Sequence, residues 1–310
     1  MSTSGSKNYS ISRSDIIESA LLKVGDFDAG DVAEETGTTA RTLNLMVKAW
    51  TARGADLFLR QDVTLFLQPG QKTYSLGLSG DENTNSYVET TLSAAEASGQ
   101  TTLSLTSTTG MSAGDRIGIK MDDNTIHWTT IGGDPTSTTV LVATATDDDA
   151  ASGNKVYAYT TKADRPQKIL YANRSDTSGI DNSIRIIGEN EYRSLSNKSS
   201  AGPPNQVWYR PALTSGILHV WPVNGGSTVD KIQLVTQTLA DDLDSAANEP
   251  EFPIEWGEAL VYGLAARLAP EFGIEYKERQ ILNAEAEIRL NEMLDYDVEN
   301  ADVIFTMGSR

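Results

Sequence analysis

Glu251-Phe-Pro-Ile-Glu-Trp-Gly-Glu-Ala-Leu-Val-Tyr-Gly-Leu-Ala-Ala-Arg-Leu-Ala-Pro270-Glu-Phe-Gly273 reads as a helix bounded by two prolines. Pro253 stands in the first turn, where the missing N–H costs nothing because that donor has no helical acceptor. Trp256, Leu260, Leu264 and Leu268 recur at helical spacing as a stripe for burial, and Pro270 stops the helix. A second amphipathic helix is expected to follow, with Tyr276, Ile281, Leu282, Ile288 and Leu294 on its apolar face.

The beginning of the chain carries a similar pair. Asp15 followed by Glu18 fits a capping box, and Ile16, Ile17, Ala20, Leu21 and Val24 form a stripe that ends at Gly25. A polar loop from Asp26 to about Gly37 leads to a second helix with Leu43, Met46, Val47 and Trp50 on one face, closed by Gly54. Each stripe is too apolar to face water, and one bundle built from both ends of the chain would bury them all.

Between the two ends the period changes from 3.6 to 2. Val63 to Leu67, Pro69-Gly70 and Thr73 to Leu76 read as a hairpin. From about Tyr87 to Thr161 the composition shifts to Thr, Ser, Gly and Ala. Five strands are expected there, at 101–105, 116–120, 125–131, 139–143 and 155–159, the pattern of a small antiparallel barrel or sandwich. Further strands are expected near 168–171, 183–187, 206–209, 216–221 and 231–235. The fold class that follows is α+β: a helical bundle formed by the N- and C-terminal helices, with a large inserted β-rich region. The boundaries read as helices over 1–59, a hairpin over 60–86, the barrel over 87–161, a second β-rich region over 162–240, helices over 241–296 and a tail over 297–310.

Composition narrows the function. The chain has 310 residues, a hydrophobic content of 39% and a charged content of 22%, as in globular proteins. No apolar run approaches the ~20 residues that span a bilayer, and Met1 to Ser10 lacks the apolar core of a signal peptide. There is no cysteine, so disulfides, thiolate nucleophiles and Cys-based metal sites are excluded. The net charge is −18, with 17 acidic against 5 basic residues from Asp241 onward. Such a surplus argues against gripping nucleic acid, which needs clustered Lys and Arg. Two readings of it stay open: solvated helix faces, or an acidic surface past which DNA slides without sticking.

Catalytic motifs do not emerge. His127 and His219, the only histidines, each lie in a strand pattern next to a Trp and read as polar strand positions. No G-x-S-x-G, Walker A or G-x-G-x-x-G occurs. Asp26-Phe-Asp28-Ala-Gly30-Asp31 begins like an EF-hand loop but has Gly30 at a ligand position and Gly37 at the twelfth. Asp122-Asp-Asn124 and Asp147-Asp-Asp149 read as turns rather than metal sites. Trp128, Trp208, Trp221 and Trp256 would make a base-stacking platform only with cations interleaved, and few are adjacent, so core packing is the reading. Arg53, Arg60, Arg165, Arg174, Arg193 and Arg210 are scattered. The expectation is a non-enzyme with no cofactor and no catalytic or metal residues.

Three segments resemble the head-to-tail adaptor (connector) proteins of short-tailed bacteriophages. They are Ser14 to Gly25 with Leu43 to Trp50 and Gly54, Asn197 to Tyr209 continuing through Gly216 to Pro222, and Pro253 to Gly273. The Thr/Gly-rich barrel departs from compact adaptors and resembles insertions in longer relatives. The resemblance implies a virion protein assembled in the host cytoplasm as a homo-oligomeric ring of about twelve copies, closed by a repeated heterologous contact. Its partners would be the portal protein above and tail tube or nozzle proteins below, with DNA passing through unbound and no membrane contact. Alternatives are a tail-tube or baseplate component, or a carbohydrate-binding or hydrolytic virion protein. In the tail, Val303, Ile304, Phe305 and Met307 form an apolar run that is either a frayed end or a segment docking on the portal or a neighbour.

Overall fold

Periodicity changes along the chain correspond to five α-helices and fifteen strands among the described residues of the computed structural model, which are 8–25, 32–54, 57–175, 179–226 and 229–296. The helices are α1 (Arg13–Val24), α2 (Val32–Arg53), α3 (Glu189–Ser194), α4 (Gly257–Leu268) and α5 (Tyr276–Tyr296). The first strands are β1 (Arg60–Phe66), β2 (Thr73–Leu76), β3 (Asn83–Thr84), β4 (Val88–Thr91) and β5 (Thr102–Ser104). Then come β6 (Arg116–Lys120), β7 (Ile126–Thr130), β8 (Thr139–Leu141), β9 (Lys155–Tyr159) and β10 (Lys168–Ser175). The last are β11 (Asp181–Ser183), β12 (Arg185–Ile186), β13 (Gln206–Pro211), β14 (Gly216–Trp221) and β15 (Lys231–Gln237). The chain divides into two units, Met1–Arg60 with Leu239–Arg310, and Gln61–Thr238.

The α+β expectation, with a helical bundle as the frame and the β-rich part as its insertion, is overturned. The protein is mostly β-sheet, with four sheets and five helices among the described residues. Four of the five hydrophobic clusters lie within residues 61–238. Long helical stripes dominate a reading by period. The sheet cores are assembled instead from strands of two to eight residues whose apolar side chains come from distant segments.

The 60–86 hairpin is also corrected. β1 joins the five-stranded sheet in the order β11-β10-β15-β1-β3, whereas β2 pairs with β14 in the four-stranded sheet β12-β13-β14-β2. Pro69-Gly70 does turn the chain, but the Gly70 N–H donates to the Asn224 carbonyl at 3.0 Å, and the two flanking strands part into different sheets. Those sheets share one core made by Val63, Leu65, Tyr74, Leu76, Val207, Leu218, Val220, Ile232 and Leu234.

Residues 87–161 contain all five strands expected there, and β4 besides. β4, β9, β6 and β7 make an antiparallel sheet, while β5 and β8 make a ribbon. The single bridges Leu92↔Leu105 and Ile131↔Val142 join the ribbon to both edges of that sheet, so six strands ring the side chains of Leu103, Ile117, Ile119, Val140 and Val156. Closure leaves few unpaired edges. Phe66 anchors this ring to β1, with Tyr157 at 4.9 Å, Trp128 at 5.0 Å and Tyr87 at 5.4 Å between ring centroids. Beside the aromatic cluster, Lys120 is paired with Asp230, and Arg116 with Glu82.

In the helical unit α1, α2, α4 and α5 pack around Trp256, Leu260, Leu264 and Leu268, each at most 1% exposed. Gly263 permits the close approach of α2: a Cβ there would lie 2.6 Å from the Trp50 ring. The N-cap of α1 is Ser12, one turn earlier than expected, with Asp15 as its reciprocal capping-box partner. Hydrogen bonds from Ser12 hold the Asp15 carboxyl below its ordinary range. α2 begins at Val32, before the expected start near Gly37. α5 turns differently from the expected face. Leu282, Leu290, Met293 and Leu294 pack on the core, while Tyr276, Ile281 and Ile288 are exposed. Among the described residues no helix is long and apolar enough to cross a membrane.

Candidate functional site

The alternation of β13 and β14 decides what the four-stranded sheet presents on its outer face. Val207, Leu218 and Val220 point into the core, so their strand neighbours Trp208, Arg210, His219 and Trp221 share the opposite face. β13 and β14 are antiparallel with Trp208 directly opposite His219, and β14 and β2 are antiparallel with His219 opposite Thr73. Three strands thereby place Trp208, His219 and Thr73 in one row.

The short helix α3 and the loop after it cover one end of this row. Tyr192 packs at 5.3 Å from Trp208 and 4.9 Å from His219, and the imidazole stacks on Trp208 at 4.5 Å and 10°. Trp221 donates its Nε1–H to the Asn197 carbonyl at 2.8 Å, which ties the loop down. Lys198 donates from Nζ to the carbonyls of Arg193 (3.0 Å) and Leu195 (2.9 Å). Arg193 lies over the Trp208 ring at 5.9 Å and Lys198 over the Tyr192 ring at 5.7 Å, so the aromatic floor orients two cations.

The result is a cavity of about 360 Å³ lined by Lys72, Thr73, Tyr192, Arg193, Lys198, Trp208, Arg210 and His219. Every ionisable lining group except the tyrosine is a cation or an imidazole, and no carboxylate lines it. Glu189, half-exposed and not part of the lining, pairs with Arg193 at 2.6 Å. Among the described residues neither Lys72 nor Arg210 is paired with a carboxylate. Burial, then the charges of Arg210 and Arg193, push His219 below the ordinary imidazole value. This favours the neutral imidazole, a flat surface with a ring nitrogen 3.2 Å from the Thr73 hydroxyl.

The other sequence candidates are placed elsewhere. His127, on β7, meets Asp147 at 2.9 Å through Nδ1 and does not approach His219, which lies in another sheet. Asp122 accepts from Ala151 N–H and Asn154, Asp123 from Thr125, and Asp149 from Ser98 N–H, which are turn contacts. Among the described residues no group of three or more His, Asp or Glu side chains is placed to hold a metal ion. Trp128, Trp208, Trp221 and Trp256 all pack in hydrophobic clusters, as expected, and Trp208 lines the cavity as well. The EF-hand-like stretch from Asp26 to Asp31 lies outside the described residues, as do Val303, Ile304, Phe305 and Met307.

Sequence reading found Arg193 and Arg210 but not their convergence. The strand alternation in 206–221 was the available signal for Trp208, Arg210 and His219 sharing a face; nothing in the sequence joined Lys72 or Lys198 to them. No protein-family model and no curated protein matches this chain.

Proposed function

We propose that the chain is a structural virion subunit, a head-to-tail adaptor that assembles as a ring beneath a portal and extends the DNA channel toward the tail. The resemblance of three segments to such adaptors motivates this reading, and the −18 charge suits a wall past which DNA moves. The observation that carries it is apolar surface on the helical unit. Ile281 and Ile288, seven residues apart on one face of α5, are 57% and 49% exposed. Leu22 on α1 and Leu45 on α2 are exposed as well. A subunit that closes a ring must keep two such surfaces for its neighbours.

The dominance of β-sheet favours a second reading, a tail-tube or baseplate component, whose subunits are expected to be mainly β. One experiment separates the two. The purified full chain is mixed with the portal protein and imaged by negative stain. Closed rings seated on the portal support the adaptor. Tubes or discs that form without portal and ignore it favour the second reading, and a monomer that binds neither itself nor portal removes both.

A further inference from the structure

The cationic pocket of the β unit has no part in ring closure as proposed above, and its construction calls for a ligand. Four cations converge on one cavity in a chain with 43 acidic and 25 basic side chains. Gathering like charges is unfavourable unless counter-charge is supplied, and elsewhere in this unit several buried or half-buried cations meet carboxylates. Lys120 meets Asp230, Arg116 meets Glu82, and Lys231 and Lys155 meet Glu89. The pocket cations, three of them exposed, are arranged differently: among the described residues only Arg193 has a carboxylate partner, Glu189, which does not line the cavity.

Two of the cations, Arg193 and Lys198, are also held in place. Lys198 uses two of its three donors on backbone carbonyls, which leaves one for a ligand. Arg193 and Lys198 rest over buried aromatic rings, Trp208 at 9% and Tyr192 at 6% exposure. Lys72, just before β2, and Arg210, on β13, are exposed and line the same cavity. Donors of one sign, two of them held by neighbours, around a cavity of about 360 Å³ match a compact, multiply charged anion with several acceptor oxygens. A carboxylate peptide would spread single charges along an extended chain, whereas these cations converge on one cavity.

We infer that this pocket, formed by Lys72, Arg193, Lys198 and Arg210 over Trp208, Tyr192 and His219, binds a phosphate-bearing ligand. The same chemistry is offered by a phosphodiester or terminal phosphate of a single strand of nucleic acid and by a free phosphoanion. Trp208 already packs against His219 and Arg193, so recognition rests on phosphate oxygens, with the stack serving as support. A duplex presents its phosphates in regularly spaced rows and is a poorer fit for a single local cluster of cations.

The test uses the full chain. Binding of pyrophosphate is measured by calorimetry, and binding of a 5′-phosphorylated oligothymidylate by fluorescence anisotropy, both at low salt. The variant Lys72→Gln/Arg210→Gln removes two exposed cations and leaves the aromatic floor in place. A control, Arg41→Gln/Lys277→Gln, removes two exposed cations of the helical unit. Phosphate ligands should bind the wild type and the control alike and bind the pocket variant about tenfold more weakly or worse. A tighter complex with the oligonucleotide than with pyrophosphate identifies a nucleic-acid strand as the source, and the reverse identifies a small phosphoanion. Equal binding by the pocket variant and the control overturns the inference. So does an absence of phosphate binding, or a preference for a glutamate-rich peptide over both phosphate ligands. These measurements do not depend on ring formation, so their failure leaves the adaptor reading standing.

Discussion

The indole rings of Trp50 and Trp256 meet with centroids 6.2 Å apart at 49°, locking a helix from early in the chain against one from its last quarter. Trp256 is fully buried and Trp50 is 5% exposed, and Phe252 adds a third ring 5.0 Å from Trp256. Trp256→Ala and Trp50→Ala should each destabilise the helical unit by roughly 3–5 kcal/mol, measured by denaturant unfolding followed through helix ellipticity. The Trp256 Nε1–H is buried without an acceptor, so Trp256→Phe forfeits no hydrogen bond and should cost well under the alanine variant. Gly263→Ala should destabilise by about 1–3 kcal/mol, because its Cβ would sit inside the Trp50 ring contact.

Lys120 and Asp230 are 14% and 10% exposed and tie β6 to the start of β15, with the Tyr157 hydroxyl donating to the second Asp230 oxygen at 3.2 Å. Burial, then the negative charge of Asp230, pushes the Tyr157 phenol well above its usual range, so it serves as a donor at every working pH. Asp230→Ala leaves an ammonium buried without its partner and should cost about 3–5 kcal/mol. Replacing both residues, as Lys120→Met/Asp230→Leu, should recover a large part of that loss. Thermal unfolding of the single and double variants checks the pair, and equal losses in both would refute it.

His219 makes stability depend on pH in a window of its own. Burial and the nearby Arg210 and Arg193 hold its folded-state pKa below the ordinary 6.5. The unfolded chain therefore takes up a proton first as pH falls, so the contribution is complete above pH 6.5 and is lost progressively below it. Glu89 acts lower down: burial raises its pKa, but hydrogen bonds from Lys231 and Lys155 outweigh this and hold it below its ordinary 4.5. His219→Phe keeps a ring stacked on Trp208 and removes the titration. Unfolding curves of wild type and variant should run parallel above pH 6.5, with the wild type declining more steeply just below it.

How much of this was legible depended on whether the signal was local. The helix from Gly257 to Leu268 announces itself through Pro253, Pro270 and an unbroken apolar stripe, and the strands at 116–120 and 155–159 through alternation. Partner choice was not local. Val63 to Leu67 and Thr73 to Leu76 look like hairpin arms, yet β2 finds its neighbour at Gly216 to His219 and β1 lies between β3 and β15. A turn sequence says that the chain reverses, not which edge is free to receive it. The same gap hid the dominance of β-sheet and the pocket, where Lys72 meets Arg193 and Lys198 only after three strands and a short helix have assembled.

The outward face of α5 gives the last test. Ile281 and Ile288 leave the helical core to Leu282, Leu290, Met293 and Leu294, which hold α5 in place without them. Arg289, on the same helix, adds ion pairs to Glu258 at 3.0 Å and Glu285 at 3.6 Å, and its guanidinium lies over Tyr262 at 5.2 Å. The exposed face can therefore be changed without disturbing the fold. Ile281→Lys/Ile288→Lys should change the unfolding free energy by no more than about 1 kcal/mol, as surface substitutions do. If these residues bury against a neighbour, each contributes roughly 1.5–3 kcal/mol of apolar transfer to association, and two buried ammonium groups would abolish it. Sedimentation velocity on the full chain, with and without portal protein, reads the outcome. The double variant should remain a folded monomer where the wild type assembles, and unchanged assembly would move the contact off this face.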